Sequence, residues 1–219
     1  MKPQFPILEE VEKNDYANYR HLMFTLPIVL DAHCIVETGL GNGHSTRIFL
    51  EALSQFDDER ELHTFELNPN EAVKKNIDNI RLNYPHVKTL AYWYLHVGKS
   101  VEGARKMYEY SRIDFLYLDS DHSYENVLAE LDAFIPYLSE KAWIMLDDIT
   151  QMGDAKHHYY FTRHPGENPS DVYYAAMDWV NRENLAHKVK WKYLAFTECR
   201  GNVTDGINGS GKLLLYRSK

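Results

Sequence analysis

Cys34-Ile35-Val36-Glu37-Thr38-Gly39-Leu40-Gly41-Asn42-Gly43 is the stretch on which the fold turns. Cys34-Ile35-Val36 is a short apolar run rich in β-branched residues, and the cluster Gly39, Gly41, Gly43 ends it. Ser45 and Thr46 follow, and Ile48, Phe49, Leu50 and Leu53 then take up a helical period. A strand that runs through glycines into a helix lets its backbone approach a ligand closely and presents the first N–H groups of the helix to it. A tight turn with no ligand is the structural alternative. A dinucleotide fingerprint of the form G-x-G-x-x-G would need glycine at position 44, where this chain has His44.

Working outward, the same cycle recurs. Residues 62–65 read as a strand ending at Glu66, and Asn68-Pro69-Asn70 introduces a helix over about 71–82. Strands are predicted over 89–96, 113–118 and 143–146, with a helix over 125–138 that puts Leu128, Leu131, Phe134 and Ile135 on one face. Strands alternating with helices imply right-handed crossovers and a mainly parallel sheet. Residues 7–32 have apolar groups at helical spacing, with Pro27 as an interruption, and form an N-terminal helical cap over 1–32. The polar segment 150–171 has no clean period and reads as a substrate loop or lid, carrying Gln151, His157, Tyr159 and Arg163. A helix over 172–180 and strands over 190–197 and 212–217 complete the chain, the last two joined as an antiparallel hairpin. Gly206-Ile207-Asn208-Gly209-Ser210-Gly211-Lys212-Leu213 matches most of a P-loop, but Leu213 stands in the place of Ser/Thr and a strand follows, so it reads as the hairpin turn.

Composition excludes several classes. The 219 residues are 44% hydrophobic and 26% charged, enough for one domain over 1–219 with a real core. Against 32 Asp and Glu stand 24 Lys and Arg, a net charge of −8, so there is no overall basic surface for nucleic acid. Two cysteines, Cys34 and Cys199, make neither a disulfide framework nor a Cys-rich zinc site. The apolar stretch 22–30 is too short to span a bilayer and lacks a basic leader, which points to a cytoplasmic protein without a membrane partner.

In open α/β sheets the ligand lies beyond the carboxyl ends of the strands. The residues there are 37–43, Glu66, 97–100, 119–122 and Asp147-Asp148. Glu66 fits an acid that accepts hydrogen bonds from a ribose diol, or else an ordinary helix cap. Asp119-Ser120-Asp121-His122 with Asp147-Asp148 crowds carboxylates that repel one another unless a cation or ligand compensates, or unless some of them cap helices and face solvent. His122 is a candidate general base.

With these residues in view, the chain resembles the class I S-adenosylmethionine-dependent methyltransferases, in the O-methyltransferase branch with small-molecule, macrolide-sugar and cephalosporin-hydroxylase-like members. Residues 37–43 are similar to that family's first motif, Glu66 to its second-strand acid, Asp119-Ser120-Asp121-His122-Ser123-Tyr124-Glu125 to its D-G-D-H-S-Y-E signature, and residues 143–148 to its fifth-strand ending. The resemblance covers about 33–149. It implies a Rossmann-like α/β fold, a mainly parallel seven-stranded sheet with a C-terminal antiparallel hairpin and helices on both faces. It also implies S-adenosylmethionine held by Glu37, Gly39, Gly41, Gly43, Glu66 and Asp119. By analogy with the metal-dependent catechol-type relatives, Asp119, Asp147 and Asp148 would hold Mg²⁺ or another divalent ion. His122 stands where those relatives have a catalytic lysine, and with Asp121 it makes the catalytic pair. The implied reaction is methyl transfer to a hydroxyl of a small molecule, with a homodimer as the default assembly. Three departures stand out: Asp148 replaces asparagine, Ser120 replaces glycine, and 97–100 has no acid for the adenine. The rival readings are a non-catalytic S-adenosylmethionine-binding protein, a hydroxylase-like member of the branch, and an NAD-linked enzyme on the same fold.

Overall fold

The computed structural model describes residues 20–83, 91–110, 112–149, 171–188, 190–196 and 211–218. Seven strands form one sheet in the order β3-β2-β1-β4-β5-β7-β6. They are β1 Cys34–Thr38, β2 Arg60–Glu66, β3 Ala91–Val97, β4 Ile113–Leu118, β5 Leu138–Leu146, β6 Lys190–Phe196 and β7 Lys212–Ser218. The first five run parallel, while β7 lies antiparallel to both β5 and β6. The order reverses between β1 and β4, the point where a parallel sheet opens a crevice beyond its carboxyl ends. Register aligns that rim: Thr38 pairs with Phe65 and with Leu118, and Leu118 with Leu146. Because β7 is reversed, its first residues lie at the same rim, with Leu213 opposite Leu146.

Among the described residues six α-helices flank the sheet: α1 Arg20–Val29, α2 His44–Leu53, α3 Glu71–Asn83, α4 Ser100–Gly103, α5 Tyr124–Phe134 and α6 Asp171–Ala186. Alternation within the strands divides the core between the two faces. Val36, Leu116 and Leu118 pack on one face with Leu131, Phe134 and Trp179, while Ile35, Phe115 and Tyr117 pack on the other with Phe49, Leu50 and Ile80. Among the described residues no helix is long and apolar enough to cross a membrane.

The expected mainly parallel seven-stranded sheet, its C-terminal antiparallel hairpin and the flanking helices are all present. Of the boundaries that differ, three have a clear physical cause. The chain stays helical through Pro27, which is buried two residues before the end of α1, so the missing N–H affects only the last turn. The helix read over 125–138 stops at Phe134, and Pro136 sits in a 3-10 turn that leads straight into β5. β5 begins five residues before its apolar run, because Ser139 donates to Asp114 Oδ1 (2.7 Å) and Arg217 donates to the carbonyl of Ser139, pairing that a hydrophobic pattern cannot reveal. Residues 1–19, read as part of the cap, and 150–170, read as the loop or lid, lie outside the described residues.

Trp179 ties the C-terminal elements together: it is fully buried, donates from Nε1 to Asp132 (3.1 Å) and meets Trp191 of β6 edge to face at 5.1 Å. Trp179→Ala is expected to reduce unfolding stability by about 3–5 kcal/mol, read from denaturant curves. A loss well under 1 kcal/mol would mean that α6 does not hold the hairpin in place.

Candidate active site

The glycine loop lies directly against the end of β4. Gly39 has φ +86°, and a Cβ there would stand 2.0 Å from the carbonyl oxygen of Asp119, so no other residue fits. The contact is locked from both sides, since Gly39 N–H donates to the Phe65 carbonyl (2.8 Å) and Asp119 N–H to the Thr38 carbonyl (3.0 Å). Gly41 is exposed, with nothing within 4 Å of where a Cβ would be, so the loop's outer side is open to a ligand at the head of α2. Glu66 holds this loop from the next strand: its Oε2 accepts from the Leu40 N–H (3.1 Å) and its Oε1 from the Asn68 N–H (3.3 Å). It remains partly exposed, with lone pairs left to accept from a ligand.

Glu37 lies beneath the loop and not on its open side. It is fully buried, and its oxygens accept from the hydroxyls of Ser45, Thr46 (2.7 Å) and Thr64 (2.9 Å). Burial pushes its carboxyl up to about 7, while the three hydroxyls pull the other way. A second hub of the same kind is Glu130 on α5, which accepts from Thr38 (3.3 Å), Ser100 (2.5 Å) and Ser120 (2.7 Å). Glu130 was missed in the sequence reading. Its signal is an acid on the apolar stripe Val127, Leu131, Phe134 of one helix.

Across the crevice lie the strand-four and strand-five acids. His122 stands between two of them, with Nδ1 3.1 Å from Asp148 Oδ2 and Nε2 3.4 Å from Asp119 Oδ1. The second distance is ion-pair range, and Nε2 is a buried atom with no hydrogen-bond partner among the described residues. Asp119 first, and then Asp148, raise the imidazole's affinity for a proton against the opposing effect of burial. Asp147 is engaged differently: Oδ1 is in contact with the ammonium of Lys212 and accepts from Asp148 N–H (2.7 Å), while Oδ2 accepts from the Tyr117 hydroxyl. Asp121 stands apart from this group. Its side chain is exposed and accepts from the Ser123 N–H (3.1 Å), so it shapes the turn into α5.

The structure therefore brings Gly39, Glu66, Asp119, His122, Asp147 and Asp148 to one rim, sets Glu37 below it and leaves Asp121 at its edge. The expectation that Asp119, Asp147 and Asp148 hold a divalent ion does not fit this arrangement, because a buried ammonium already sits on Asp147. Among the described residues, the set whose three ligand atoms fall within 4.8 Å of one another is Cys34, Glu61 and His63, in the amino-terminal half of β1 and β2 and away from the rim. Burial holds the Cys34 thiol well above its ordinary pKa, which keeps it a thiol and a poor metal ligand.

Comparisons with known proteins give the family and the fold. A family model described as a methyltransferase domain matches residues 36–149, just over half of the chain and the whole of the rim just described up to Asp148. The chain belongs to that methyltransferase family. No curated protein matches by sequence. Among solved structures, an O-methyltransferase from Bacillus cereus in complex with SAH aligns with a TM-score of 0.64 at 15% identity, covering 100% of this chain and 93% of that one. The O-methyltransferase TomG from Streptomyces achromogenes, involved in tomaymycin synthesis and in complex with SAM, aligns with a TM-score of 0.63 at 14% identity, covering 93% and 81%. A methyltransferase from Geobacter sulfurreducens aligns with a TM-score of 0.57 at 15% identity, covering 100% and 91%. These likenesses show the fold.

Glu37 supplies a pH test of the hub. Its folded pKa, about 7, lies above the ordinary glutamate value, so the folded state holds this proton more tightly than the unfolded chain. The stability it contributes is complete below the unfolded value and is lost as pH rises through about 7. Denaturant unfolding between pH 5 and 8 should show the native protein losing stability relative to Glu37→Gln as pH rises. Parallel profiles would mean that Glu37 is already ionised throughout. Glu37→Ala should cost about 1–3 kcal/mol for each hydroxyl left without a partner.

Proposed function

We propose that this chain transfers a methyl group from S-adenosylmethionine to a hydroxyl oxygen of a small molecule. The observation that carries the reading is the His122 ring, partly exposed and held between Asp119 and Asp148 at the same strand-end rim as the open glycine loop. The family match supplies methyl transfer, and the Bacillus and Streptomyces structures, both O-methyltransferases with cofactor bound, support the cofactor and the oxygen acceptor. A small molecule is favoured by the acidic chain, which has no surplus of cations to neutralise phosphates.

In this reading the backbone of Gly39, Gly41 and Gly43 lines the amino-acid part of the cofactor, and Glu66 accepts from its ribose hydroxyls while holding the loop through Leu40. Glu37 acts indirectly: it fixes Ser45 and Thr46 at the head of α2, the end that would face the cofactor carboxylate. When bound, the cofactor supplies an electrophilic methyl carbon on a positively charged sulfur. His122 donates from Nδ1 to Asp148 and keeps a lone pair at Nε2, where it takes the acceptor's proton as the oxygen–carbon bond forms and the carbon–sulfur bond breaks. The products are a methyl ether, a neutral thioether and an imidazolium stabilised by Asp119 and Asp148. Asp119 also stands against Gly39 and so couples the two halves of the crevice. Asp121 positions the turn that carries His122.

Thermal unfolding with S-adenosylmethionine, its demethylated product S-adenosylhomocysteine, or NAD separates the readings. A ligand at about 100 times its Kd stabilises by roughly 2.7 kcal/mol, which raises the midpoint by on the order of 5–10 °C for a chain of this size. A shift with the first two and none with NAD is expected, and no shift with either of the first two overturns the proposal. His122→Ala should leave that shift unchanged and lower methyl transfer by about 10²–10⁴-fold, measured as product thioether released with any accepted hydroxyl compound. Loss of the shift in this variant would move His122 from the acceptor side to the cofactor side.

A further inference from the structure

The lysine that opens the last strand touches none of the groups assigned to the reacting atoms, yet it is among the least exposed charged groups of the described residues. Lys212 is 6% exposed, and Asp147, which it contacts, is 7% exposed. Neighbouring residues on both strands hold the lysine there: Leu213 is fully buried and pairs with Leu146, so the next position on each strand puts Lys212 beside Asp147. The ammonium also lies 5.9 Å over the ring of Tyr117, whose hydroxyl takes the other oxygen of the same carboxylate. Asp147 thus receives three donors: an ammonium and a backbone N–H on one oxygen, and a phenol on the other.

We infer that Lys212 is the resident cation of the strand-end acidic cluster, occupying the position a divalent ion would need, so that this chain performs its chemistry without a metal. A Mg²⁺ or Ca²⁺ ion requires carboxylate oxygens at about 2.0–2.6 Å, and it cannot take Asp147 while an ammonium in contact holds that oxygen and a hydroxyl holds the other. Two cations at one carboxylate in a buried setting repel strongly. The other two acids are taken as well, since His122 lies between Asp119 and Asp148. Lys212 is a positioning residue here: it fixes Asp147, and through the Asp148 N–H it fixes the carboxylate that faces His122.

The consequence for the substrate rests on the methyl-transfer reading. With Lys212 in place, nothing at the rim requires the acceptor to offer two oxygens to a metal, and a single hydroxyl within reach of His122 suffices.

The test reads metal binding alone, so its outcome is separate from that of the cofactor shift. Mn²⁺ is titrated into the full chain and followed by electron paramagnetic resonance, with thermal unfolding in parallel. The unchanged protein should show no saturable Mn²⁺ site and no Mn²⁺-dependent rise in midpoint. Lys212→Ala should gain one site at least about tenfold tighter than any binding to the unchanged protein, and its midpoint should climb with Mn²⁺. Adding Asp147→Ala to Lys212→Ala should remove the gained site, which a purely structural lysine would not predict. If Lys212→Ala fails to fold because Asp147 is left alone, Lys212→Gln keeps a donor without the charge and takes its place in the titration. Saturable binding to the unchanged protein that Asp147→Asn abolishes would overturn the inference. So would a folded Lys212 variant that gains no site.

Discussion

Two buried carboxylates, each satisfied by three hydroxyls, set the positions of everything at the rim. An isolated ionised carboxylate in a protein interior is costly enough that it either pairs, finds donors or takes up a proton. Glu37 finds its donors on α2 and β2, and Glu130 finds its own on β1, α4 and the loop after β4. Neither hub can be satisfied unless these elements arrive together, so the hubs act as a check on assembly more than as a source of net stability. Thr38 joins them: it is the last residue of β1, next to Glu37, donates to Glu130 and accepts Asp119 N–H at its carbonyl. From that fixed point the approach of Gly39 to Asp119 follows, and with it the width of the crevice.

The reversed last strand adds what a purely parallel sheet lacks. Parallel strands present carboxyl-terminal ends at the rim, and here those ends are acidic at Glu66, Asp119, Asp147 and Asp148. A strand running the other way presents its beginning there instead. In this chain that beginning is Gly211-Lys212, so the antiparallel connection brings a cation to the one edge where negative charge has accumulated. Topology and electrostatics are solved by the same feature.

What could be read without coordinates was whatever repeats locally. β4 has the predicted bounds because Ile113–Leu118 is an apolar run broken only by Asp114, between polar ends and buried on both faces. The glycine loop and the strand-end acids were legible for the same reason, since each lies within a few residues of the pattern that betrays it. Glu130 and Lys212 were not legible. Ser100 and Thr38 are 30 and 92 residues from Glu130, and only a formed sheet brings them to it. Lys212 sits in a stretch that imitates a P-loop, and its true partner, Asp147, is set by strand register. Sequence also does not tell on which side of a loop an acid will lie: Glu37 reads as a ligand-facing residue, while the hydroxyls of Ser45, Thr46 and Thr64 draw it inward.

Asp148 shows how the rim converts these constraints into chemistry. It has φ +53°, an unusual conformation that aspartate tolerates better than most residues and that costs on the order of 1 kcal/mol or more. That turn lets its N–H donate back to Asp147 while its carboxylate points to His122 Nδ1. A neutral imidazole has one proton and one lone pair, and here both its nitrogens face carboxylates. Assigning the proton to the closer contact, at Asp148, leaves the lone pair at Nε2 opposed to Asp119 at 3.4 Å. A proton shared between Nε2 and Asp119 relieves that opposition, and both acids favour the charged ring. The imidazolium formed in the transfer is therefore held on both sides, and the turn at Asp148, fixed by the Asp147–Lys212 pair, keeps one of those sides in place.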